Sequence, residues 1–202
     1  MLNCCNVNFV IPKHTLWIIS LLILLGHYGN AQTPHCATGK EGNIWYFGDS
    51  LGLDFNTLPP QLVTDGKMYT YEASATVSDG NGDLLFYFNG EYVWNRNHQI
   101  MPGVNPATGA VKLSGSESAT QVLALQHPGL PELYYLFYMN TFDQAVNTQQ
   151  DTTRRMFYAI VDITADGGLG DVVSKNNLLF SKTTEKVISA RHCNGIDWWI
   201  VT

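Results

Sequence analysis

Residues 73–88 read ASATVSDGNGDLLFYF: a run of small residues, a polar turn and a run of aromatics. Two later stretches follow the same plan. SATQVLALQHPGLPELYYLFY (118–138) brings Ser-Ala-Thr back 44 residues after Ser74 and ends on aromatics. VISARHCNGIDWWIVT (187–202) places Ser189-Ala190 before a turn and Trp198-Trp199 after it. Gly, Asn, Asp and Pro in the connectors supply the backbone angles that tight hairpins need. Runs of β-branched and aromatic residues between such connectors predict antiparallel hairpins, not helices.

Working outward, the same signals predict strands at Asn43–Phe47, Tyr69–Val77, Leu84–Asn89, Gln121–Gln126, Leu133–Met139, Met156–Asp162 and Trp198–Val201. Turn chemistry recurs at 79–83, 127–132, 165–171 and 192–197. The fold class expected is all-β. A two-sheet sandwich would alternate in a similar way. A hairpin plan returning every 40 to 60 residues or so favours the blades of a β-propeller. Small residues on an inner strand let neighbouring sheets approach at a hub, and aromatics fill the space between them. A propeller closes with about four to eight blades, and residues 43–202 hold about three. The expected organisation is an N-terminal fragment of a longer protein: an incomplete propeller-like domain at 43–202, preceded by a linker at 32–42.

The first 31 residues read differently. Lys13 and His14 precede the apolar run LWIISLLILL, and small residues follow at Gly29 and Ala31. A basic flank, a short apolar core and a small-residue site predict the helix of a secretory signal peptide, cleaved between Ala31 and Gln32. The apolar run is shorter than the roughly 20 residues that span a bilayer, so no stable membrane insertion is expected after cleavage. Cleavage removes one lysine and no acid, leaving a net charge of −7. That balance speaks against nucleic acid and anionic membrane surfaces as partners. Cys36 and Cys193 remain, and in an oxidising compartment they form one disulfide or stay as two thiols.

Several motifs in order carry a resemblance: NIWYFG and GLDFN, SATVSDGNGDLLFYFNGEYVWNRNHQIMP, SATQ with PELYYLFY, FYAIVDITADGGLGDVVSKN, and EKVISARHCNGIDWWIVT. Together they span nearly all of 43–202. They resemble the propeller-like start of large exported proteins of gliding bacteria. Such proteins continue into PKD-like immunoglobulin repeats and a gliding-motility-associated C-terminal domain, the type B signal for type IX secretion. The resemblance implies a secreted or cell-surface protein with a binding, adhesive or structural role. The sequence departs from that pattern in lacking the sorting domain and in carrying Cys193 where a small residue such as Ala is usual.

Four segments invite a chemical reading. GDSLGL (48–53) resembles the nucleophile segment of GDSL lipases and esterases, with Ser50 as nucleophile. A serine needs a base and oxyanion donors. That family's GxND and DxxH segments are missing, and Pro59 and Pro60 preclude the long helix that follows its serine. Ser50 is therefore expected in a turn. DGNGD (79–83) alternates oxygen-bearing residues like the start of a calcium loop, but position twelve is Gly90. It is expected to be a hairpin turn with Gly80 and Gly82 at positive φ. ADGGLGDV (165–172) fits neither GxGxxG nor a phosphate-binding P-loop and is expected to join two strands. Tyr92, Trp94 and Arg96, in EYVWNRNHQ, form a polar-aromatic cluster of the kind that stacks on sugar rings. No cofactor or metal is called for. The expected function is non-catalytic binding or adhesion outside the cell, with the export machinery and a polysaccharide or another cell-surface protein as partners. The alternative is a secreted hydrolase, either a GDSL-like esterase acting through Ser50 or a propeller glycosidase with paired carboxylates.

Overall fold

In the computed structural model, residues 39–116, 121–140 and 154–202 are described. The signal segment with Ala31 and Gln32, Cys36, and the second Ser-Ala-Thr at 118–120 lie outside them. The described chain is all-β and folds into four antiparallel sheets. The first holds β1 (Ile44–Phe47), β2 (Leu51–Asp54) and β3 (Gln61–Val63), and the second β4 (Ala75–Ser78), β5 (Leu84–Phe88) and β6 (Val93–Asn95). The third holds β7 (Leu123–Gln126), β8 (Leu133–Met139), β9 (Arg155–Asp162) and β10 (Asp171–Ser181), and the last β11 (Ile188–Arg191) and β12 (Trp198–Val201). In every sheet, neighbours in space are neighbours in sequence. Among the described residues no helix is long and apolar enough to cross a membrane.

Runs such as LLFYF and LYYLFYM are apolar throughout because both faces of their strands are covered. Phe86 and Phe88 of β5 join one core while Tyr87, between them, joins another. On β8, Tyr134, Leu136 and Tyr138 share the core of Phe86 and Phe88, whereas Phe137 and Met139 face Met156, Val187 and Trp198. The strand's period of two thus assigns successive residues to opposite layers. Three cores result: Tyr46 and Met68 against Tyr87 and Trp94, then β5 against β8 and β9, then β8 and β9 against the last hairpin. Each fully buried aromatic contributes roughly 1.5–3 kcal/mol of transfer free energy.

The first strands of the first three sheets meet. β1 lies against β4, and β4 against β7. The Tyr46 amide donates to Thr76 Oγ1 at 2.8 Å. A cleft of about 380 Å³ runs along Ile44, Tyr46, Ala75, Thr76, Val122 and Ala124. Alanines on these strands permit the approach.

Some expectations need correction. The strand expected at Tyr69–Val77 starts only at Ala75, with Tyr69 making an isolated bridge to Asp49. Residues 71–72 between them form a bend, where Thr70 Oγ1 donates to Ala73 O at 2.6 Å. In the DGNGD turn only Gly82 has positive φ, at 91°, while Gly80 does not. β2, β3 and β6 were not expected, and the strand expected to follow the 165–172 connection, β10, already begins at Asp171 and runs to Ser181. β10 carries the polar run SKNN, and register shifts let it pair with β9 despite them. Asn176 sits at φ 56° there; its Oδ1 accepts from the Ser114 amide at 2.7 Å, and its Nδ2 donates to Lys112 O at 3.2 Å.

Candidate functional site

Between β3 and β4 the chain alternates strictly: Gly66, Met68 and Thr70 are buried, Lys67 and Tyr69 exposed. Met68 is anchored in the core between the first two sheets. Backbone bonds hold the segment straight, from Ser50 N to Met68 O and from Thr70 N to Gly48 O, both 2.9 Å. The Lys67 amide donates to Tyr87 Oη at 3.0 Å. With Met68 inward, Lys67 and Tyr69 project outward and form one wall of a cleft.

The turn from β5 to β6 forms the facing wall. Asn89, 3% exposed, organises it. Its Oδ1 accepts from the amides of Glu91 and Tyr92, each at 3.0 Å, and its Nδ2 donates to Tyr69 O at 3.0 Å. One amide side chain therefore shapes the turn and fastens the two walls together. The cleft between them encloses about 770 Å³ and is closed by Trp94, His98 and Ile100. That volume falls within the range of about 300–1,000 Å³ common for small-molecule sites.

Aromatic rings stack beneath it. Tyr46 lies on Tyr87 with centroids 4.7 Å apart, and Tyr87 on Trp94 at 5.5 Å and 8° between planes. Tyr92 meets Trp94 edge-on at 5.9 Å. Such pairs add about 0.5–1.5 kcal/mol each beyond their burial. A polar chain runs beside the stack. Tyr46 Oη donates to Asp65 Oδ1 at 2.7 Å, and His98 Nε2 lies 3.3 Å from Asp65 Oδ2. His98 Nδ1 is 3.1 Å from Tyr87 Oη. The carboxylate accepts only, so a neutral His98 carries its proton on Nε2 and accepts from Tyr87 at Nδ1. Burial, reinforced by the Asp65 bond, raises the Tyr46 hydroxyl well above the usual phenol range. Burial pushes Tyr87 up to about 12. The Tyr46 hydrogen bond holds the Asp65 carboxyl below its usual value. On the rim, Glu91 pairs with Lys112, whose ammonium also sits 5.9 Å from the Tyr92 ring centroid.

Of the residues singled out from sequence, Tyr92 and Trp94 meet in this cleft. Trp94 is only 5% exposed and forms floor, not platform. Arg96 lies elsewhere: it is exposed beyond the end of β6, with Nη2 3.8 Å from where a Cβ on Gly168 would stand. Lys67, Tyr69, Asn89 and His98 were missed. The buried-exposed alternation across GKMYT was the signal available for the first two.

Ser50 occupies the three-residue turn from β1 to β2, at φ 59° beside Gly48 at φ 60°. Its hydroxyl lies 3.4 Å from Asp49 Oδ1. Among the described residues no histidine bonds to it. His98 is engaged as above, His127 Nδ1 accepts from the Gly129 and Leu130 amides, and His192 Nδ1 accepts from that of Asn194. Asp79 folds back on its own turn, accepting from the amides of Asn81 at 2.8 Å and Asp83 at 3.0 Å. The ADGGLG segment joins β9 to β10 through left-handed Asp166, Gly167, Gly168 and Gly170. Cys193 is exposed in the turn from β11 to β12. No family model, no curated protein and no solved structure matches the chain.

Proposed function

We propose that the chain is a non-catalytic, exported binding module of propeller type that holds polysaccharide in the cleft between Lys67–Tyr69 and Asn89–Trp94. One observation carries the binding reading: an aromatic-lined cleft of about 770 Å³ whose walls are fixed to each other by the hydrogen bond from the buried Asn89 to Tyr69 O. A preformed site of this kind binds without first ordering its own side chains. Rings such as Tyr69, half exposed, and Tyr92 offer faces to the C–H surface of a sugar. The propeller reading is supported by face-to-face sheets in chain order, the first strands of the first three of which adjoin. Secretion or display on the cell surface, and association with gliding and type IX secretion, rest on the N-terminal signal pattern and on the resemblance of residues 43–202.

Affinity electrophoresis against a panel of neutral and charged polysaccharides tests the reading. Retardation of the wild type by at least one polymer, weakened about tenfold in Tyr69→Ala with an unchanged melting temperature, is the expected result. A panel that retards the wild type nowhere sinks it.

A further inference from the structure

The polar groups lining the cleft are almost all engaged within the protein. Asn89 uses both ends of its amide, Glu91 is neutralised by Lys112, and both His98 nitrogens have partners. Among the charged groups Lys67 is the exception. Its side chain is exposed on the wall, and its ammonium has no ion-pair or hydrogen-bond partner among the described residues. The nearby carboxylate in sequence, Asp65, is directed to Tyr46 and His98. The cleft thus presents aromatic faces and one exposed ammonium without an ion-pair partner among the described residues, on a chain that is acidic as a whole.

We infer that the cleft selects an acidic sugar residue, a uronic acid within a polysaccharide, with its ring against Tyr69 and Tyr92 and its carboxylate on Lys67. This rests on the polysaccharide reading above. A neutral sugar would satisfy the aromatic wall and leave the ammonium with water alone. A carboxylate adds a charge-assisted hydrogen bond in a partly enclosed site. A cationic sugar is disfavoured beside the Lys67 ammonium, and Glu91 is already paired with Lys112.

Calorimetric titration of the full chain against polygalacturonate, the same polymer with its carboxyls reduced to alcohols, and a neutral glucan tests the inference. Polygalacturonate is expected to bind roughly tenfold tighter than its reduced form, one ion pair's worth of discrimination. Lys67→Gln, which keeps most of the stem at an exposed position, is expected to remove that margin, so that the acidic and reduced polymers bind alike. Equal binding of the acidic and reduced polymers, or a margin that survives Lys67→Gln, overturns the choice of an acidic sugar while the polysaccharide reading stands. Failure of all three polymers to bind overturns both for this cleft.

Discussion

Replacing Asn89 by Ala tests whether the cleft is held by its buried amide. The side chain makes three hydrogen bonds: one to Tyr69 O, and two accepted from Glu91 N and Tyr92 N. At about 1 kcal/mol net for each, their loss costs about 3 kcal/mol. For a domain of this size each kcal/mol moves the melting temperature by about 2–4 °C, so the variant should melt about 6–12 °C lower. Urea unfolding should show a lower midpoint with an unchanged slope, since the surface exposed on unfolding is the same. Asn81→Ala is the control: it removes an exposed contact of 3.4 Å to Asp79 and should stay within about 0.5 kcal/mol of wild type. An Asn89→Ala protein that melts within about 2 °C of wild type, or no lower than Asn81→Ala, would refute the claim that this residue fastens the walls.

Gly103→Ala should destabilise by about 2 kcal/mol or more, because a Cβ there meets Val172 O at 2.2 Å and the β10 backbone cannot give way easily. Gly129→Ala, whose Cβ has only His127 Cε1 at 4.0 Å, should be neutral within about 0.5 kcal/mol by chemical denaturation. Tyr46, Tyr87 and Tyr138 all have raised hydroxyls, so the folded state retains protons that the unfolded chain releases. Their stabilising contribution is complete below about pH 10 and falls as pH rises toward 12 and beyond. Ultraviolet titration should show a class of tyrosines ionising only with unfolding; uniform titration near pH 10 in the folded protein would contradict this. Asp65, held low by Tyr46, contributes stability above its ordinary value near 4 that is lost as pH falls through its folded value. Tyr46→Phe should flatten that acid limb in thermal melts between pH 5 and pH 2.

The all-β character was legible in ASATVSDGNGDLLFYF and its two echoes because hairpins are encoded locally, by turn residues and by runs of strand formers. The turn at Ser50 was equally legible, since prolines and missing partners outweighed a four-letter motif. The length of β10 was not, because its SKNN run is polar, and it stays paired with β9 through register shifts and contacts to Tyr138 and Ser114. Arg96 was grouped with Tyr92 and Trp94 by proximity in sequence, yet it follows the end of β6 and points away from their cleft. The cleft itself joins residues far apart along the chain: Asp65 to His98, Lys67 to Tyr87, Tyr69 to Asn89. Local pattern specifies strands and turns, since those depend on neighbours within a few residues. Which side chains meet depends on how each strand's two faces are shared between adjoining sheets, and that is settled only when the sheets pack.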